Sequence, residues 1–176
     1  MTRRFLIHAI VLGLAAFAAT PANATADDAG VNALYGRLVV YETTQDVSKL
    51  DAIYTPDAVY LGPERPPMVG RESIKTSWAD FARARKPGGP IATKFRLVQR
   101  IWHGRDSVTD IGYGKLSRTL DDGTQREAYS KFVTLALRQP DGSWRWRVDI
   151  DNSLPAETAD AEFDALKPVG SLRYDK

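Results

Sequence analysis

Hydrophobic positions along this chain follow a helical period in the first half and a period of two in the second. Leu34, Leu38, Tyr41 and Val47, with Val39 and Val40 beside them, give an apolar helical face that starts near Asp27 or Asp28. Ser48 is placed to cap a short second helix over residues 49–54, which Pro56 ends. Residues 57–61 read as a brief β-run, and Gly62, Pro63, Pro66 and Pro67 make a rigid loop. Residues 70–84 form a third predicted helix that buries Ile74, Trp78 and Phe81 at i, i+4 and i+7.

From Ile91 onward the alternation predicts four strands, at residues 94–102, 107–120, 125–139 and 143–152. The connections at 103–106, 121–123 and 140–142 are hairpin-length, so these strands are expected to run antiparallel. Gly112 and Gly114, mid-strand, suit a sharp bend or a bulge. Helices first and a meander afterwards define an α+β class, with the helices on one face of a curved sheet. Such a sheet leaves a cone whose mouth can admit a ligand. Beyond Pro155, residues 157–166 could form an amphipathic helix with Phe163 and Leu166 as its large apolar contacts, either a lid over the mouth or a frayed extension.

The amino end obeys neither pattern. Arg3 and Arg4 precede an apolar stretch, Phe5 to Ala19, broken only by His8, and Pro21 leads into Ala22, Asn23 and Ala24. That order reads as a secretory signal peptide, with cleavage after Ala24 or Ala26. As a helix, a stretch of 15 residues spans roughly 22 Å, too short for a hydrocarbon core of about 30 Å. The expected division is a signal peptide over 1–26, one domain over 27–155 and a tail over 156–176, with a periplasmic or secreted destination and no membrane association after cleavage.

Charge and composition then narrow the chemistry. The chain has 24 basic and 22 acidic residues, and removing Arg3 and Arg4 with the leader leaves 22 of each. A neutral mature chain lacks the basic excess expected of a nucleic-acid binder, so no nucleic-acid partner is expected. There is no cysteine, and His103 is the only histidine outside the leader. Neither a Cys/His zinc site nor a Cys–His nucleophile pair can be built, and no phosphate-binding glycine motif occurs. No metal or cofactor is expected. Catalysis would have to use carboxylates, tyrosines, lysine, His103 or water.

The last strand carries the most information. Strict alternation puts Trp144, Trp146, Val148 and Ile150 on one face and Arg145, Arg147, Asp149 and Asp151 on the other. Either the apolar face is core and the charged face is solvated, or the charged face lines a cavity and the tryptophans meet a second subunit.

The order of these pieces resembles the SnoaL-like family, within the superfamily of nuclear transport factor 2 and ketosteroid isomerase. The matching residues are Leu50-Asp51-Ala52-Ile53-Tyr54-Thr55-Pro56-Asp57-Ala58-Val59-Tyr60, Gly70-Arg71-Glu72-Ser73-Ile74, and Asp141-Gly142-Ser143-Trp144 followed by Asp149 and Asn152-Ser153. The resemblance implies a conical barrel, a curved antiparallel sheet wrapped around three N-terminal helices. It also implies a pocket for a small apolar molecule and a homodimer through the outer sheet face. The ketosteroid isomerase machinery is absent, because its tyrosine and base positions fall on Leu38 and Gly62 and its oxyanion aspartate falls near Val133 or Thr134.

In the same comparison, Arg147, Asp149 and Asp151 face the cavity. Asp149 is the candidate general acid or base, since a desolvated carboxyl near another carboxyl has a raised pKa; the alternative is a structural ion pair of Asp149 with Arg147 or Lys131. Tyr41, Tyr60, Trp78, Phe81 and Tyr113 are candidate walls, with Lys131, Arg147 and Asp151 as polar contacts. Two functions follow: an exported small-molecule binder, extending to a cofactor-independent isomerase or cyclase acting on a hydrophobic carbonyl compound, or a non-catalytic dimeric binding or assembly module using the outer sheet face.

Overall fold

The structure is a computed structural model and describes residues 24–85 and 87–169. The expected signal peptide lies, but for its last three residues, outside the described residues. Among the latter, no helix is long and apolar enough to cross a membrane.

Helix α1, Ala24–Thr44, buries Val31, Leu34, Tyr35, Leu38, Tyr41 and Glu42, a stripe at helical spacing along one side. It stops before Val47 because Gln45 adopts a left-handed φ of 57°. A 3-10 helix, Val47–Ala52, follows, and its cap is Asp46 rather than Ser48: the Asp46 carboxylate accepts from the Ser48 main-chain N–H at 3.0 Å. Strand β1, Tyr54–Leu61, therefore starts three residues earlier than Pro56 suggests. Tyr54 is drawn inward by burial against Trp146, whose main-chain N–H donates to the Ile53 carbonyl at 2.7 Å. After β2, Met68–Val69, comes α2, Arg71–Ala84. The three expected N-terminal helices are thus two α-helices and a 3-10 turn.

Strands β3 (Ala92–Trp102), β4 (Ser107–Thr119), β5 (Gln125–Arg138) and β6 (Trp144–Leu154) form the antiparallel meander. Helix α3, Ala156–Ala165, and β7, Lys167–Pro168, complete the chain. The sheet order is β2-β1-β6-β5-β4-β3-β7. It is mixed, because β1 runs parallel to β6. The result is an α+β fold with a curved open sheet and α1 across its concave face. Tyr35 of α1 anchors that packing, with ring centroids 5.1 Å from Phe95, 5.8 Å from Phe132 and 5.3 Å from Trp146.

Two irregularities decide which side chains face inward. At Gly112 a Cβ would collide with the Arg96 main-chain oxygen and lie 2.7 Å from the Phe132 ring, so the sheet bends sharply over a position that only glycine fits. On β6 the register shifts: Ala136 pairs with Trp146, but Leu135 pairs with Val148, leaving Arg147 as an extra residue. The bulge breaks the alternation. Trp144 and Trp146 are buried in the core on the concave side, and beyond Arg147 the same side is taken by Asp149 and Asp151. The tryptophans therefore do not form an outer interface.

On the convex face lie the side chains of opposite parity, including Tyr113, Tyr129, Lys131 and Val133. There α3 docks: Phe163 packs against Tyr129 at 6.1 Å, Arg96 lies over Phe163 at 4.8 Å, and the Tyr113 hydroxyl donates to Glu162 at 2.8 Å. The carboxyl-terminal helix is thus neither a lid on the cone nor frayed.

Candidate active site

The concave face and the helices enclose a cavity of about 230 Å³. Its walls are largely aromatic. Trp78 of α2 stands between Tyr41 and Tyr60, at 4.9 and 5.7 Å, and Phe95, Phe132 and Trp146 extend the apolar surface from the sheet. Half-exposed Phe81 lies on the rim, flanked at 5.1 Å by the guanidinium groups of both Arg65 and Arg85.

Polar groups enter this wall from β6. Asp149 is buried, and its Oδ2 accepts the Tyr54 hydroxyl proton at 2.6 Å. Asp151, two residues on and on the same face, accepts from the Tyr60 hydroxyl at 2.5 Å. Burial pushes the Asp149 carboxyl up to about 7; the Tyr54 hydrogen bond holds it down, and the nearby Asp151 charge adds to the rise. Asp151 is raised as well, again by burial first, against the pull of the Tyr60 hydroxyl and Arg65. Tyr54 and Tyr60 are raised well above the usual phenol range by burial and the carboxylates they face, so both are neutral donors.

A third carboxyl comes from α1. Glu42 lines the cavity and burial pushes it up to about 7, against the opposing pull of Arg85 and Gln45. Beside the cavity, between α1 and the concave face of the sheet, sits a buried ionic group. Arg100 donates to both oxygens of Asp110, at 2.6 and 2.7 Å, and Asp110 also accepts the hydroxyl proton of cavity-lining Tyr35 at 2.8 Å. This group orients Tyr35 rather than reaching the cavity itself.

Of the candidates raised by the sequence, Asp149, Asp151, Tyr60, Trp78 and Phe81 converge on the cavity. Tyr41 is core behind Trp78. Tyr113, Lys131 and Arg147 do not reach it: the first two are on the convex face, and the Arg147 guanidinium, displaced by the bulge, pairs with Asp57 at 3.1 Å. Asp149 has neither of the expected ion-pair partners; its partner is Tyr54. Sequence reasoning passed over Tyr54, Tyr35 and Glu42. For Glu42 a signal existed, an acid one helical turn after Leu38 on the stripe that also holds Tyr35.

The SnoaL-like domain model matches residues 31–156, most of the chain. The chain belongs to the SnoaL-like domain family. Its fold is shared by solved structures that carry other names. A nuclear transport factor 2-like protein from Salmonella enterica superposes with a TM-score of 0.62 at 14% identity, covering 80% of this chain and 99% of that one. A ketosteroid isomerase-like protein from Erwinia carotovora gives 0.60 at 18% identity over 73% and 97%. A hexachlorocyclohexane dehydrochlorinase from Novosphingobium barchaimii gives 0.61 at 14% over 86% and 95%. These identities establish shared fold alone. No curated protein matches the chain. Among the described residues of this SnoaL-like domain, no group of three His, Cys, Asp or Glu side chains is disposed to hold a metal ion.

Proposed function

We propose that this SnoaL-like protein binds a small, mostly apolar molecule in the cavity and moves a proton on it with Asp149, as a cofactor-independent isomerase or cyclase of a hydrophobic carbonyl compound. The observation that carries this reading is the pairing of a buried carboxyl, pushed up to about 7, with an aromatic-walled cavity open to a ligand. A carboxyl with that pKa is part ionised and part protonated near neutrality, so it can take a proton from carbon and return it at another position. The neutral Tyr54 hydroxyl steadies the ionised form. The neutral Tyr60 hydroxyl, on the same wall, is the donor that would turn from Asp151 to the oxygen on which negative charge gathers as the proton leaves. Two structural neighbours are named ketosteroid isomerase-like and hexachlorocyclohexane dehydrochlorinase, and ketosteroid isomerisation and dehydrochlorination are both reactions in which a proton leaves carbon.

The test is deuterium exchange at the carbon beside the carbonyl of 2-tetralone in heavy water, followed by proton NMR. Wild type should accelerate exchange, and Asp149→Asn should lose roughly 100-fold or more of that acceleration. Unchanged exchange in Asp149→Asn, or no acceleration on a panel of lipophilic ketones, would leave binding without catalysis.

Export and dimerisation belong to the same proposal. The leader reading predicts a periplasmic chain beginning near residue 25 or 27, readable by amino-terminal sequencing. For a homodimer the supporting surface is the convex face beside α3, where Val133 and Val98 are exposed. Native mass spectrometry should show a dimer that Val133→Glu splits. A monomer at every concentration would overturn it.

A further inference from the structure

Glu42 carries a buried carboxyl into the cavity wall. The residue is 8% exposed, and among the described residues no group donates to its buried Oε2. Its neighbour Gln45 spends its amide on main-chain carbonyls, donating at 2.6 Å to that of Glu42 itself. Leaving a carboxyl oxygen buried and unpaired is costly, and at this position on the stripe a leucine would fold at no such cost. Arg85 offsets part of that cost through its charge, and a donor arriving in the cavity Glu42 lines would relieve the rest.

Two features define that donor. Arg65 and Arg85 line the same cavity and already set two positive charges against the carboxyls of Glu42, Asp149 and Asp151, so a neutral hydroxyl or N–H can meet Glu42 without a further cation in the pocket. The rest of the wall is apolar: Trp78, Phe95 and Phe132 offer ring faces and edges. A cavity of about 150 Å³ is enough for benzene, so one of about 230 Å³ admits a fused bicyclic body.

We propose that Glu42 is the specificity-determining residue of the pocket, accepting at Oε2 a hydrogen bond from a neutral hydroxyl or N–H group carried by an apolar bicyclic ligand. The inference rests on reading the cavity as a ligand pocket, and assigns the group that sets its preference. Asp149 and Glu42 then divide the work: one moves the proton, the other fixes which end of the ligand enters.

The experiment measures dissociation constants by calorimetry at pH 8 for 2-naphthol, 2-methoxynaphthalene and naphthalene. At that pH Glu42 is mostly ionised and 2-naphthol is mostly neutral. Wild type should bind 2-naphthol about tenfold more tightly than 2-methoxynaphthalene. Glu42→Leu should erase that preference while still binding naphthalene, and Asp149→Asn should keep it. Should Glu42→Leu fail to fold, Glu42→Met, of similar length, makes the same comparison. Equal wild-type affinity for naphthol and its methyl ether overturns the role of Glu42 and leaves the pocket standing. A preference that survives in Glu42→Leu does the same, since the hydroxyl then binds elsewhere. If none of the three binds, the pocket reading falls and this inference falls with it.

Discussion

The hydroxyl of Tyr54, the first residue of β1, donates to Oδ2 of Asp149 on β6 at 2.6 Å, joining the parallel strand pair of β1 and β6 through the candidate catalytic group. Because the bond favours the ionised carboxyl, removing it should move Asp149 further up. In Tyr54→Phe the acidic limb of a pH–rate profile, or the carboxyl carbon shift in an NMR titration, should move to higher pH than wild type. Stability should drop by ~1–3 kcal/mol, the range for a buried hydrogen bond to a charged acceptor. An unmoved titration would show that burial alone sets the Asp149 value.

Asp149 and Glu42 also set how stability depends on pH. Each is pushed up to about 7 in the folded chain, whereas unfolded carboxyls titrate near ~4. Between these values the native state holds more protons than the unfolded one, so stability falls as pH rises from about 4 to about 7 and is level above. Asp46, Asp57, Asp122 and Asp141 are lowered, by hydrogen bonds from Ser48, Thr55, Thr124 and Ser143 first of all, and their contribution is lost only in stronger acid. Wild type should therefore melt higher at pH 5 than at pH 8. Asp149→Asn should flatten that slope and raise the pH 8 melting temperature, as scanning calorimetry would read.

The buried Arg100–Asp110–Tyr35 group makes a different demand on stability. Arg100 also donates to Asp28 at 2.9 Å, so it ties the start of α1 to the sheet. Removing one member leaves its partner charged in the core. Asp110→Ala should cost ~3–5 kcal/mol in urea unfolding, while the double replacement Arg100→Met with Asp110→Leu should recover part of that loss. If the single and double variants were equally unstable, packing rather than stranded charge would dominate.

Much of this architecture is legible in the residue pattern, and what is not has definite physical causes. Period-two alternation and short glycine turns locate the meander, because each strand has one buried face and Gly123 and Gly142 take left-handed φ values of 83° and 80°. Trp78 and Phe81 are readable from the helical spacing of α2, and Asp151 from the resemblance. The Arg147 bulge is not, since one inserted residue reverses parity without any compositional mark, and it moved the tryptophans inward and Arg147 outward. Tyr54 was hidden by Pro56, which signals a helix stop but here follows a strand start. Lys131 and Tyr113 pair in register, so a single parity error misplaces both.

The glycines of β4 mark which parity of the sheet faces the cavity. Gly112 and Gly114 both lie on the concave side, opposite Phe132 and Ser130. At Gly112 an added methyl meets main chain of the neighbouring strand, which cannot withdraw without undoing the bend. At Gly114 it meets the Ser130 hydroxyl at 3.0 Å and the Phe95 ring at 3.6 Å, side-chain atoms that can shift. Gly112→Ala should therefore cost ~2–3 kcal/mol or more, while Gly114→Ala should stay within about 1 kcal/mol of wild type, helped by the entropy glycine loses on folding. The second variant should narrow the cavity beside Phe95 and weaken naphthalene binding, measured by the same calorimetry. Equal costs at the two sites would mean that the bend is set elsewhere, and the assignment of Gly112 as its pivot would be wrong.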